Sequence, residues 1–135
     1  MNNKLLPVCN LQELNEFQLE THDLISNGQC TAYYAVVIYK EDEIVYVQNN
    51  RVVFSDRLFE LILHVANTGS KGIKGQHLAD KMQLVYKDVY QYKDRVNNYK
   101  KYRTVIDKDL IVIDEKNYWH LNVNYNNQGL LIIWL

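Results

Sequence analysis

Apolar positions recur along this chain with two different periods, and the changes of period mark its elements. Leu11, Leu14, Phe17 or Gln18, Leu24 and Ile25 follow the spacing of one helical face, and Asn27-Gly28 is a helix-stop signal. Residues 31–39 (TAYYAVVIY), Ile44–Val47 and Arg51–Phe54 are instead rich in β-branched and aromatic residues. The polar breaks between them, Lys40–Glu43 and Gln48–Asn50, are short. These three runs predict a small antiparallel meander, with Asn49-Asn50 at a tight turn.

From Ser55 the period becomes helical. Ser55 is placed as a cap, Leu58, Phe59, Leu61, Ile62, Leu63 and Val65 form a broad buried face, and Asn67-Thr68-Gly69 ends the helix. A second helix follows Lys71–Ile73, with Ile73, Leu78, Ala79 and Met82 inward, and breaks near Gln83–Leu84. Val85, Val89, Tyr92, Val96 and Tyr99 are then spaced alternately by four and three, which stacks them on one face of a third helix. Its opposite face carries Lys87, Tyr90, Gln91, Asp94, Asn97, Asn98 and Lys101. Leu110–Ile113, the turn Asp114–Asn117 and Tyr118–Val123 predict a hairpin.

Three helices closed by a hairpin within Ser55–Asn122 predict an α+β fold, a winged helix-turn-helix with a small N-terminal antiparallel sheet and a C-terminal β-hairpin wing. The expected organisation is an N-terminal helical extension (1–30), a winged-helix domain (31–123) and an apolar tail (124–135). The terminal run LLIIWL (residues 130–135) is far shorter than the roughly 20 residues a membrane helix needs. It is expected to be a last strand or a plug on the domain. Only in a longer parent chain would it open a span.

Charge sharpens this picture once it is divided. The whole chain of 135 residues has a net charge of −1. Residues 1–50 hold Lys4 and Lys40 against seven acidic residues, a net of −5. Residues 71–103 hold nine basic residues against Asp80, Asp88 and Asp94, a net of +6. That asymmetry fits a polyanion-binding segment, and equally a solvated helix face. The abundance of Asn (15) and Tyr (11) is attributed to an AT-rich genome.

Cys9 and Cys30 lack CxxC spacing, and Leu5, Leu6, Pro7 and Val8 make too short an apolar run for a secretory signal. Free thiols in a reducing cytoplasm are expected. A zinc site from Cys9, His22, Cys30 and His120 lacks paired ligand spacing and is not favoured. The four histidines are scattered, and neither a phosphate-cradling glycine loop nor HExxH occurs. No enzyme activity, no cofactor and no small-molecule substrate are expected.

The order of elements resembles the OmpR/PhoB-type winged-helix DNA-binding domain, found in response regulators and ToxR-like bacterial activators. Val45–Gly69 (VYVQNNRVVFSDRLFELILHVANTG) looks like that family's strand, turn, strand and first helix. Gly72–Met82 (GIKGQHLADKM) is similar to its second helix, and Val85–Val96 has the spacing of its recognition helix. Leu110–Leu121 (LIVIDEKNYWHL) resembles its wing and final strand, with Trp119 where Tyr is usual. The likeness spans residues 31–123 and rests on order and spacing. About 30 preceding residues are too few for a receiver domain, so phosphorylation control within this chain is not expected.

A helix fits the major groove of duplex DNA, and long polar side chains on its outer face reach base edges. Gln91, Asn98 and, nearer the edge, Asn97 are candidates for adenine. Lys87, Lys101 and Arg95 suit guanine or phosphate, and Tyr90 suits a thymine methyl. Asp94 is expected to pair with a lysine of its own helix rather than accept from cytosine. Lys74, at the start of the second helix, suits a phosphate, and Arg103, Lys108 and Lys116 flank the DNA backbone. The expected function is sequence-specific double-stranded DNA binding in transcription regulation. The alternatives are a winged-helix protein-interaction module or RNA binding. The acidic N-terminal helix and apolar tail are candidate surfaces for a homodimer, and RNA polymerase or a partner regulator are candidate further partners.

Overall fold

The computed structural model describes residues 8–10, 15–29, 34–123 and 129–134. The expected helix positions Leu11 and Leu14, and Cys30, lie outside the described residues. The fold is α+β, with five helices and two sheets among those residues. The chain divides into two compact units, Met1–Val52 with Val123–Leu135, and Val53–Asn122.

The first unit is built on a five-stranded sheet of order β1-β8-β2-β3-β4. Its strands are β1 (Val8–Asn10), β2 (Tyr34–Tyr39), β3 (Ile44–Val47), β4 (Asn50–Val52) and β8 (Gly129–Trp134). The expected meander is present: β2 pairs antiparallel with β3, and β3 with β4. The β3–β4 turn sits at Gln48-Asn49, both with positive φ (48° and 69°), one residue earlier than Asn49-Asn50. Left-handed conformation at both central residues gives the twist that a two-residue hairpin needs.

The sheet is larger than a meander, and mixed. β8 lies between β1 and β2 and runs parallel to both, with Val36 opposite Leu130 and Val8 opposite Ile132. Residues 130–134 of the terminal apolar run therefore form an interior strand of the sheet. The two chain ends expected in an extension and a tail instead share one sheet with residues 34–52. Burial of Val36–Tyr39 as an unbroken apolar run is what an interior strand requires.

Helix α1 (Glu16–Ser26) starts at a capping box, in which the Asn15 side chain accepts from Gln18 N–H and the Gln18 side chain accepts from Asn15 N–H. Gly28 (φ +73°) ends it, with Gln29 N–H returning to the Leu24 carbonyl. Ile25 of α1 packs on Val37 and Tyr39, flanked by Tyr34, Ile44 and Tyr46. The Tyr39 hydroxyl shares a 3.0 Å hydrogen bond with His22 Nδ1, and burial pushes its pKa up to about 12.

The second unit runs α2 (Asp56–Ala66), β5 (Ile73–Lys74), α3 (Gly75–Met82), α4 (Tyr86–Asn97), α5 (Lys100–Arg103), β6 (Ile111–Ile113) and β7 (Tyr118–Leu121). Ser55 occupies the cap position of α2 but makes no side-chain capping bond. Helix α2 buries Leu58, Phe59, Leu61, Ile62, Val65 and Ala66 on one broad face. Ile73 pairs with Trp119 across β5 and β7, giving an antiparallel sheet of order β5-β7-β6. Gln83 ends α3 in the left-handed region (φ 58°), and only Leu84 and Val85 separate that turn from α4.

Two expectations for the third helix are corrected. It stops at Asn97 with Asn98 as its C-cap, so Tyr99 and Lys101 lie beyond it, Lys101 on the separate one-turn helix α5. Val85 is 62% exposed rather than inward, because it precedes the first helical turn with extended backbone. The helical period does not govern a cap residue. Val89 and Val96 are buried as expected.

Candidate nucleic-acid interface

Helix α4 is held from two sides. Val89 and Val96 are fully buried on its inner face, and the Arg57 and Arg95 guanidiniums both lie over the Tyr92 ring, 5.9 and 5.4 Å from its centroid. On the other side Tyr86 and Tyr90 meet the buried Trp119 edge-on, at centroid distances of 6.1 and 6.2 Å. Gly75 lets this cluster close. A Cβ there would stand 2.3 Å from Tyr86 Cε1 and 2.9 Å from Trp119 Nε1.

With the inner face and both flanks committed, Lys87, Gln91, Asp94 and Asn98 remain on the outer face. Successive steps of four, three and four residues keep them within one arc at about 100° per residue. All four are exposed. Asp94 pairs with Lys93 Nζ at 2.9 Å, the same-helix lysine pairing that was expected of it. The Asn98 amide donates to the Asp94 carbonyl at 2.9 Å, so this side chain partly serves as a C-cap. Gln91 is left as the exposed amide in mid-helix.

Asn97 does not belong to this face. It is 4% exposed, its Oδ1 accepts from Leu110 N–H (2.9 Å) and Ile111 N–H (3.0 Å), and its Nδ2 donates to the Ile111 carbonyl (3.0 Å). Eight residues beyond Val89, it sits some 80° from the inward direction, on the side where β6 passes. It is a latch between α4 and β6. No base can reach it without breaking the unit.

The remaining candidates spread around this helix. Lys74 is the residue before α3, exposed, with Nζ 5.0 Å from the Tyr118 ring centroid, which joins the helix start to β7. Lys101 is exposed on α5. Arg103 Nη2 is held by Asp109 Oδ1 at 2.6 Å, so it has a carboxylate partner already. Arg95 is exposed, with its guanidinium over Tyr92, the ring that Arg57 of α2 also covers. Tyr102, next to Arg103, is buried, its hydroxyl donates to the Lys108 carbonyl, and burial pushes its pKa up to about 12.

Lys116 is exposed at the hairpin turn. Asp114 organises that turn: its Oδ1 accepts from Lys116 N–H (2.8 Å) and Tyr118 N–H (3.0 Å), and its Oδ2 meets His120 Nε2 at 2.7 Å. The His120 hydrogen bond first, then the Tyr118 and Lys116 N–H groups, hold the Asp114 carboxyl below its ordinary value. The carboxylate thus faces the turn's own donors, and Asn117 (φ 68°) closes the loop. His120 also stacks on Gly72 (φ +79°), where a Cβ would lie 2.6 Å from its Cε1.

Tyr90 is exposed as its place on the outer face implies, but the sequence does not show that Val85 and Tyr86 join it in an exposed apolar tip of α4. Val85, Tyr86 and Tyr90 are 62%, 41% and 42% exposed. The break at Gln83–Leu84 was the available signal, since residues beside a helix start escape the face assignment. Among the described residues no group of three or more His, Cys, Asp or Glu could hold a metal ion. No described helix is long and apolar enough to cross a membrane. Comparisons of this chain with protein-family models, with curated proteins and with solved structures return no match.

Proposed function

We propose that Val53–Asn122 is a winged helix-turn-helix that binds double-stranded DNA sequence-specifically, and that the chain is a transcriptional regulator. One observation carries this reading. The outer face of α4 keeps Lys87 and Gln91 exposed while Val89, Val96 and Asn97 bury the inner side of the helix. A helix presented in this way, on a helix–strand–helix–helix–hairpin scaffold, has the shape that enters a major groove.

In this reading α4 lies in the groove with Gln91 on an adenine edge and Lys87 on a phosphate. Lys74, Lys101 and Lys116 take phosphates on either side and fix the register. Asp94 does not repel the duplex, because Lys93 neutralises it at 2.9 Å. Asn98 contributes less than Gln91, and Asn97 contributes only by holding α4 to β6.

The exposed Val85, Tyr86 and Tyr90 favour a second reading, a winged helix that docks on a protein. Selection from a randomised duplex pool, with sequencing of the bound fraction, separates the two. DNA reading predicts an enriched motif, lost with Lys87→Glu. A docking module predicts no enrichment, and a partner whose binding survives Lys87→Glu. In either case two protomers on a twofold site would raise apparent affinity through linked binding.

A further inference from the structure

We infer, resting on the DNA-binding reading, that the amino-terminal tip of α4 recognises thymine C5-methyl groups, so that the bases under it are A·T pairs. The tip presents three apolar side chains, Val85, Tyr86 and Tyr90, beside the adenine-competent amide of Gln91. In the major groove the only apolar feature of a base edge is the thymine methyl, and the adenine partner shows the donor–acceptor pair that Gln matches. An apolar tip against a G·C edge would cover polar atoms without replacing their hydrogen bonds.

The ring geometry selects a duplex groove over a single strand. A single-stranded base binds by stacking on an open aromatic face. Here Lys93 Nζ sits 4.1 Å from the Tyr90 centroid, covering one face of that ring. Tyr86 and Tyr90 also lean on each other (6.0 Å, 51°) and on Trp119 at steep angles (74° and 81°). One face of Tyr90 is thus covered and both rings are engaged by Trp119, which leaves partial ring surface and the two methyls of Val85. Those suit van der Waals contact with a methyl group. The surrounding charge fits the same occupant, since Lys87 follows Tyr86 and Lys74 precedes Gly75, which packs on Tyr86, and both lysines are exposed to take phosphates.

The test uses the full chain and the duplex selected from the randomised pool, with each thymine replaced in turn by deoxyuridine. This removes a methyl and leaves the hydrogen-bonding edge intact. Burying one methyl is worth about three- to fourfold in affinity. The inference predicts a loss of about that size at one to three positions beside the adenine read by Gln91, and no loss elsewhere. Val85→Ser, at an exposed site before the helix, is expected to keep the fold and to bind thymine and uracil duplexes alike at one of those positions. Tight binding with no thymine–uracil difference at any position overturns the inference and leaves DNA reading intact. Preferential binding of single strands over the duplex also overturns it. Failure to bind any duplex overturns both.

Discussion

Asn97→Ala is the substitution whose consequence is most sharply set by the structure. The change removes one acceptor shared by Leu110 N–H and Ile111 N–H and one donor to the Ile111 carbonyl. Leu110 and Ile111 are each 1% exposed, so solvent does not replace the lost partners. Each buried backbone group left unpaired costs about 1–3 kcal/mol. Three neighbouring groups relax together, so about 3–5 kcal/mol is expected for the set rather than a strict sum. In a unit the size of Val53–Asn122, each kcal/mol moves the melting temperature by about 4–8 °C. A fall of at least about 12 °C is therefore expected. Thermal melting followed by near-ultraviolet circular dichroism, to which the buried Trp119 contributes, measures it. Asn98→Ala is the internal control: an exposed neighbour that loses one C-capping bond and should cost about 1 kcal/mol or less. Equal shifts for the two variants, or a fall of only a few degrees for Asn97→Ala, would refute the latch and return Asn97 to the groove-facing set.

The other expectations concern the supports of α4 and the hairpin turn. Gly75→Ala pushes a methyl against Tyr86 and the buried Trp119, and should destabilise the unit by about 1–3 kcal/mol in a denaturant titration; an unchanged midpoint would show that the cluster is loose. Asp114 has a folded-state pKa below its ordinary 3.8, so its contribution is present above that value and is lost as pH falls through the depressed one. Asp114→Asn should therefore weaken the hairpin at neutral pH, seen as faster hydrogen exchange at Tyr118 N–H, with the gap to the parent protein closing in acid below pH 3.8. A gap that is constant with pH would mean that the His120 contact carries no charge-dependent stability. Gln91→Ala should relax selection at one adenine while leaving the salt dependence of binding unchanged, because a base contact releases no counterion.

What could be read directly from the residues was whatever repeats within one element. The alternation of Ile44–Val47 and the apolar spacing of Leu58, Leu61, Ile62 and Val65 are local, and both elements form where expected. The hairpin from Ile111 to Leu121 was legible for the same reason. What escaped depends on partners distant in sequence. An interior β8 follows only from its pairing with β1 and β2, and nothing within LLIIWL specifies parallel neighbours more than 90 residues earlier. Asn97 was assigned by helical angle, which ignores that β6 crosses that edge of α4. Val85 was placed by a spacing that runs past the helix start. Lys87, Gln91 and Asp94 are exposed as their helical angle implies, because all three lie within α4 and on the arc that neither Val89 and Val96 nor the β6 contact occupies.

The most direct test of the account is the slope of log affinity against log salt for the selected duplex. Lys74, Lys87, Lys101 and Lys116 on phosphates predict a slope between about −3 and −4, shallower by about 1 in Lys87→Ala. A slope near zero, or one that Lys87→Ala leaves untouched, would contradict the placement of α4 against DNA.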